Sequence, residues 1–343
     1  MAVSINTEEI IHKFTNHVKT LKRHIYIKRI QNTTFNSLKA NLHDNEVIIQ
    51  VDYSENYANK DQHQIQSAYF GQQCFSIFTA CCYLQIDEVL VNENVTVTSE
   101  ESDHSRIAAL SCWLRVLSFV QEKYSCLLES LVLHIWSDGC AGQFRSRFVF
   151  SLLSQFAIGH TLFWYYNERH HGKGPMDGIG GTIKHRVFRD VKSEKVNIRN
   201  AEHSFISFAS YADTILKGIK SLYMSLEVLE VLIEPENVGN ALKIPGTLEI
   251  HKIGRSFNSD GVCKLNFYHT AVDESPFHVQ WYRKNGDPEV HPELPLSFDP
   301  SMTCVKCRLH TRKLKSGSNV TSVISGFTKN VFIYEIFIHS LIF

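Results

Sequence analysis

The sequence has no long apolar run and no excess of either charge. No stretch approaches the ~20 apolar residues that a membrane-spanning helix needs, and the nearest one, at 331–343, is short and contains Glu335. The 35 basic and 35 acidic residues give a formal net charge of zero. Affinity for nucleic acid must therefore come from local basic patches rather than from a global field, and we expect no membrane segment.

A disulfide framework is also missing. The nine cysteines are an odd number and lie scattered, several of them in apolar runs such as Cys81-Cys82 and Cys112-Trp113. This distribution is typical of buried free thiols in an intracellular protein. The N-terminus carries charges where a signal peptide needs an apolar core. These features predict a nuclear protein, or a cytoplasmic one if the chain is an inactive remnant.

Nucleotide-binding and zinc-binding motifs are incomplete. The stretch GKGPMDGIGGT at 172–182 lacks the G-x-x-x-x-G-K-[ST] order, and no G-x-G-x-x-G occurs, which argues against nucleotide hydrolases and dinucleotide enzymes. Cys304, Cys307 and His310 form half a zinc site, with His291 or Cys263 as a fourth ligand. The alternative is that these are loop cysteines in a basic tail.

What the chain does contain is a regular order of buried elements. Hydrophobic residues make up 43% and charged residues 20%, as in a globular protein. The pattern predicts strands at 47–52, 64–70, 74–83, 131–136 and 161–166, with 64–70 and 74–83 paired as a hairpin and 91–103 as a polar connection. Helices follow the third, fourth and fifth strands. We therefore predict an α/β fold with a ribonuclease H-like mixed five-stranded sheet and helices on both faces.

Four segments are expected along the chain. Residues 1–45 form a helical, basic N-terminal segment, in which the charge run at 19–29 is either a solvated helix face or a phosphate-contacting or nuclear-import segment. Residues 46–192 form the core, and 193–285 a mixed helical and β extension. Residues 286–343 form a Pro-rich linker and a basic, Cys-containing tail. The fold of the C-terminal part is poorly defined by the pattern.

Three aspartates mark the ends of buried elements in the core. Asp52 ends the first strand, Asp138 ends the fourth, and Asp177 lies in a glycine-rich turn before the last helix. Phosphodiester chemistry with two Mg²⁺ or Mn²⁺ ions roughly 3.5–4 Å apart needs such carboxylates on rigid neighbouring elements. Each aspartate alone also fits a turn or a helix cap.

Three sequence blocks carry a resemblance to a known family. VDYSENY, WSDGCAGQFRSR and HGKGPMDGIGGTIK resemble the catalytic blocks of DDE/DDD transposase-like proteins encoded by eukaryotic DNA transposons, over roughly residues 35–190. The resemblance implies that Asp52, Asp138 and Asp177 bind two divalent metal ions. It also implies hydrolysis of a strand at the transposon end, followed by attack of the freed 3′ hydroxyl on target DNA.

The resemblance leaves several alternatives open. Many relatives use Glu as the third acid, so Glu168, Asp190 and Glu194 are alternatives to Asp177. DNA at transposon ends and targets is the expected partner, with a homo-oligomer as a second expectation. The basic residues expected to contact phosphates are Lys173, Lys184, Arg145 and Arg147. The rival hypotheses are a truncated or decayed remnant that binds DNA or protein, and a ribonuclease H-like nuclease without transposition.

Overall fold

A computed structural model describes residues 6–58, 74–124, 132–155, 161–168, 174–198, 204–224, 243–257 and 262–282. Within these ranges five helices and nine strands build a mixed α/β fold. The helices are α1 (Thr7–Ala40), α2 (Arg106–Lys123), α3 (Arg147–Gln155), α4 (Pro175–Lys192) and α5 (Ser204–Ile215). The strands are β1 (Glu46–Ala58), β2 (Cys74–Ile86), β3 (Val89–Ser99), β4 (Val132–Ser137), β5 (Thr161–Tyr166), β6 (Ile219–Met224), β7 (Lys252–Phe257), β8 (Cys263–Tyr268) and β9 (His278–Tyr282).

All nine described strands belong to one sheet, in the order β6-β3-β2-β1-β4-β5-β7-β8-β9. The strand β1 is antiparallel to β2 and parallel to β4, and β5 is parallel to β4. The strand β3 is antiparallel to β2 and parallel to β6. The class, a mixed α/β sheet, is as predicted, but the sheet has nine strands where the sequence pattern indicated five.

Successive side chains of β1 point to opposite faces of the sheet, and each face is covered by its own set of helices. Val47, Ile49 and Val51 face the core that α2 and α3 cover, whereas Ile48 faces the opposite core. The second face is covered by α1, α4 and α5. Because side chains alternate along a strand, Asp52 shares the face of Ile48 and lies on the side of the sheet where α4 packs.

The hairpin before α2 differs from the sequence prediction. The residues predicted as its first strand, 64–70, lie outside the described residues. The strand β2 pairs instead with β3, around a two-residue turn in which Asp87 and Glu88 have φ of 49° and 64°, the backbone of a type I′ hairpin turn. The prediction of a polar connection was wrong for residues 91–99. The hydroxyl groups of this segment give it the polarity of a loop. In the structure, however, Thr96 and Thr98 are buried, and they hydrogen-bond to Ser221 and to the backbone of Phe205.

The extra strands extend the sheet at both edges. The strand β6 adds to β3, and β7, β8 and β9 continue from β5, so residues from the predicted extension complete the same sheet as the predicted core. The predicted zinc ligands Cys304, Cys307 and His310 lie outside the described residues. Among the described helices, none is long and apolar enough to cross a membrane.

Candidate functional site

Asp52 lies within β1, near the point where the neighbouring strand β4 ends. The β1–β4 ladder runs in parallel register as far as Gln50 and Trp136. Asp52 follows two residues later within β1, and Asp138 follows two residues later just beyond β4, close enough for its charge to act on Asp52. Asp52 lies on the face of the sheet that α4 covers, as Ile48 does.

The backbone holds the Asp52 carboxylate in place. The N–H of Tyr53 donates to Asp52 Oδ1 at 2.8 Å, and Thr79 Oγ1 donates to the carbonyl oxygen of Asp52 at 3.0 Å. Thr79 lies opposite Asp52 in the β1–β2 ladder. The neighbouring strand therefore fixes the position of this residue before any ligand binds.

Asp138 begins a turn that packs on a buried arginine side chain. Its Oδ1 accepts a hydrogen bond from the N–H of Cys140 at 3.2 Å. The guanidinium group of Arg145 is buried beneath this turn, where Nη1 donates to the carbonyl oxygen of Ile250 at 2.9 Å. A Cβ at position 139 would lie 2.7 Å from the guanidinium carbon of Arg145. A larger residue at 139 would therefore push the Arg145 guanidinium group away from its present position.

The helix α4 runs along β1 because of a glycine on its inner face. A Cβ at Gly180 would lie 2.4 Å from Ser54 Oγ and 2.6 Å from Ser54 Cβ. Gly178 and Gly181, by contrast, have nothing within 4 Å of such a Cβ. Only Gly180 is therefore needed for the helix to reach the sheet, and this contact holds the first turns of α4 over Asp52.

Asp177 lies in the first turn of α4 and acts as its cap. Its Oδ2 accepts a hydrogen bond from the N–H of Gly174 at 3.3 Å, and the side chain is exposed. A carboxylate in this position also favours the positive end of the helix dipole. The sequence allowed either a metal ligand or a cap, and the contact observed is that of a cap.

The three aspartates share one electrostatic environment. Burial raises the pKa of Asp52 from 3.8 to about 7, the charge of Asp138 adds to this, the N–H of Tyr53 opposes it, and the charge of Asp177 raises it further. The pKa of Asp138 is also raised, mainly by burial, against the N–H of Cys140 and the charge of Arg145. Crowded carboxylates with raised pKa values are common at functional sites.

The donor set suits a hard cation, although the side chains are not gathered around one point. In the described part of the chain, no group of three His, Cys, Asp or Glu side chains is spaced to hold a metal ion. Gln50 Oε1, two residues before Asp52 on the same face, is buried without a hydrogen-bond partner. Carboxylate and amide oxygens with unsatisfied charge or lone pairs are what Mg²⁺ and Mn²⁺ prefer. These residues therefore fit a divalent ion by their chemistry.

The basic residues predicted to contact DNA have different positions. Lys173 lies outside the described residues. Arg145 is 2% exposed and holds the Asp138 turn, so it faces no solvent in this structure. Lys184 Nζ donates to the carbonyl oxygen of Glu55 at 3.2 Å, which ties α4 to β1. Arg147 is exposed at the start of α3, with its guanidinium over the ring of Phe148.

The alternative third acids lie in other contacts. Glu168 follows β5, and its carboxylate oxygens lie 3.0 Å from His251 Nε2 and 3.2 Å from His24 Nδ1. Asp190 is buried near the end of α4, within 3.6 Å of Lys195 and 3.4 Å of Arg186. Glu194 has a left-handed backbone conformation just beyond α4. The charges that raise the pKa of Asp52 are those of Asp138 and Asp177.

Sequence reasoning missed two supporting residues. Thr79 and Ser54 shape the site through contacts across strands and with α4, and neither stands out in the pattern. The signal that could have found Ser54 is Gly180, since a glycine inside a helix costs stability and often marks a close approach. Gln50 was visible as the one polar residue in an apolar run, but the run was interpreted only as a buried strand.

The fold and site define a mixed α/β protein with a cluster of carboxylates where β4 ends beside the longer parallel strand β1. Comparison with known families places it more closely. The chain belongs to DUF8701, a domain of unknown function, whose family model matches residues 31–264. That range contains all three aspartates. No curated protein and no solved structure matches the chain.

Proposed function

We propose that this chain carries a ribonuclease H-like, metal-dependent core of the transposase type, in which Asp52, Asp138 and Asp177 serve phosphodiester chemistry on DNA. The observation that carries the proposal is that Asp52 in β1 and Asp138 just after the adjacent parallel strand β4 lie close enough for the charge of Asp138 to raise the pKa of Asp52. Paired carboxylates in a partly buried environment are both ionised only at a cost, which is relieved when one of them takes up a proton or when a cation lies between them. A site of this kind is suited to divalent ions.

The strand order supports the same proposal. The five strands predicted for a ribonuclease H-like core correspond in number to β1–β5, which lie side by side as β3-β2-β1-β4-β5, with β2 alone running opposite to the others. Two acids on the central pair of such a sheet and a third on the helix after β5 give the arrangement that the sequence blocks imply. The strands β6–β9 are additions at the edges.

Each acid has a defined task in this proposal. Two divalent ions supply charge neutralisation and an activated water or 3′ hydroxyl. Asp52 and Asp138, fixed by Tyr53, Thr79 and Cys140, would hold them from the sheet side. Asp177 would exchange its contact with the Gly174 N–H for the same ions. DNA of transposon ends and targets is the proposed substrate, and the nucleus the proposed location.

The test is cleavage of labelled duplex DNA by the purified full-length chain with Mg²⁺ or Mn²⁺. We expect strand cleavage that disappears in Asp138→Asn and in Asp52→Asn, but persists in Asp44→Asn, a matched exposed aspartate just before the opposite end of β1. Cleavage that is unchanged in Asp138→Asn would refute the assignment. Joining of the cleaved end to a second duplex separates a transposase from a nuclease.

A second candidate is an inactive remnant that binds DNA or protein. It is favoured by the observation that Asp177 is used as a helix cap and that no three-residue metal group occurs among the described residues. Titration with Mn²⁺, followed by its paramagnetic signal, distinguishes the two. In an active core, Mn²⁺ binds and Asp52→Asn abolishes that binding. In a remnant, Mn²⁺ binding is absent or is the same in the native chain and in Asp52→Asn.

A further inference from the structure

The helix α1 extends far beyond its contacts with the sheet. It has 34 residues, which corresponds to about 50 Å of helix. Only Ile27 and Gln31 are buried along its length. Gln31 anchors the C-terminal half of α1 to the rest of the fold. Its Nε2 donates to the carbonyl oxygens of Tyr166 and His251, and its Oε1 accepts from the N–H of Ala271. The N-terminal half stands in solvent.

A stripe of apolar side chains runs along this exposed half. We call it the α1 stripe, and its members are Ile11, Phe14, Val18, Leu21 and Ile25. Ile11, Phe14, Leu21 and Ile25 are 59%, 67%, 55% and 38% exposed. A single exposed apolar residue needs no explanation, but four exposed residues and the half-buried Val18 on one face of a helix form a patch of the kind that marks an interaction surface.

The spacing of the α1 stripe is that of a coiled coil. Its members follow one another at steps of three, four, three and four residues, so they occupy five consecutive a and d positions of a heptad repeat. A helix that packs on its own globular domain shows a wider stripe with a period of 3.6 residues. The narrow period-3.5 seam is the pattern by which one helix pairs with another helix.

The charges beside the seam indicate the partner. In this heptad Glu8 and Lys22 occupy e positions. In an antiparallel pair of identical helices e faces e, so Glu8 of one copy lies opposite Lys22 of the other, twice by symmetry. A parallel pair would place His17 opposite Lys22 instead. Opposite charges at flanking positions set the orientation of a coiled coil.

We propose that the α1 stripe pairs antiparallel with the same stripe of a second copy of this chain, forming a two-fold symmetric dimer. The contact is isologous, so it closes at two copies. It spans little more than two heptads, fewer than a long coiled coil uses, and gives a dimer with a dissociation constant on the order of micromolar. The proposal does not rest on the proposed catalytic function.

Sedimentation equilibrium of the full chain tests the dimer. Across about 1–100 μM we expect a monomer–dimer equilibrium that Leu21→Lys weakens at least tenfold. The matched control is Leu90→Lys, since Leu90 is also an exposed leucine (42%) but lies at the β2–β3 hairpin. Far-ultraviolet circular dichroism establishes that both variants fold. A monomer at every concentration, or a dimer insensitive to Leu21→Lys, overturns the proposal.

Charge reversal tests the orientation. Glu8→Lys and Lys22→Glu should each weaken the dimer severalfold, and the double variant Glu8→Lys/Lys22→Glu should restore it, because the two charges face each other only in the antiparallel pair. Single variants that weaken the dimer without rescue in the double variant would overturn the antiparallel arrangement. The matched control is Lys13→Glu, whose side chain pairs with Glu9 of the same helix at 2.6 Å.

Discussion

Two sets of carboxylates lie at the same end of the sheet and differ in how their charge is balanced. Asp52 and Asp138, where β1 and β4 adjoin, have raised pKa values, because burial outweighs the backbone N–H that each accepts and, at Asp138, the charge of Arg145. Glu168, after the parallel strand β5, is held by His251 and His24. The same topology thus produces one acid compensated by histidine side chains and two acids whose charge is not fully compensated.

Structural acids and acids suited to a ligand differ in whether contacts within the fold use their charge. Glu168 completes contacts between β5, β7 and α1, so its charge is used within the fold. The charges of Asp52 and Asp138 cost stability in the fold as it stands, which is typical of groups retained for a ligand.

The largest expected effect is on DNA cleavage. Asp52→Asn should lower the rate of Mg²⁺-dependent cleavage by at least about 10²-fold, the usual loss when one preorganised charge-stabilising group is removed. Glu168→Gln, which removes the compensated acid, should leave the rate within about threefold. Single-turnover cleavage of labelled duplex measures both. Equal losses in the two variants would show that the contrast has no functional meaning.

The second effect is on folding. Glu168→Ala leaves His251, 5% exposed at its side chain, without its carboxylate partner. We expect the free energy of unfolding to fall by about 1–3 kcal/mol, as when the hydrogen-bond partner of a buried polar group is removed. Urea denaturation followed by tryptophan fluorescence gives the value. Asp138→Asn is the comparison, and a similar loss there would contradict the incomplete compensation of Asp138.

The third effect concerns the helix above the acids. Gly180→Ala forces a Cβ to within 2.4 Å of Ser54 Oγ, and should destabilise the protein by about 1–3 kcal/mol through overpacking. Gly181→Ala meets nothing within 4 Å and should stabilise the helix by about 0.5–1 kcal/mol. Thermal unfolding of both variants gives the signs. Two alanines with the same sign would mean that α4 does not pack on β1 as described.

The smallest effect is a pH dependence. Asp52 has a pKa of about 7 in the fold and 3.8 as a free side chain. Folding therefore favours the protonated form of Asp52. Its contribution to the free energy of unfolding is complete below pH 3.8 and is lost as the pH rises to about 7. Asp52→Asn should be more stable than the native chain by about 1–2 kcal/mol near pH 8, and the difference should shrink towards about pH 4. A difference that grows on acidification would show that the pKa is lowered instead.

The sequence by itself determined the main elements of the core. The apolar runs at 47–52, 131–136 and 161–166 correspond to β1, β4 and β5, and the last of these coincides with its strand. A continuous apolar run bounded by turn residues allows little else in a chain of this composition. The aspartates were visible because each ends such a run or begins a helix. The hydroxyl-rich strand β3 was not visible, since its polarity resembles that of a loop.

Tertiary structure decided the balance of charge and the reach of the sheet. The additions β6–β9 depend on pairing between residues far apart in sequence, which local pattern does not encode. Whether an acid is compensated depends on partners brought from other elements: Glu168 meets His24 from α1 and His251 from before β7, whereas Arg145 is directed under the Asp138 turn to the carbonyl of Ile250. Local sequence places carboxylates in or just after buried strands, but only packing fixes which counter-charges reach them.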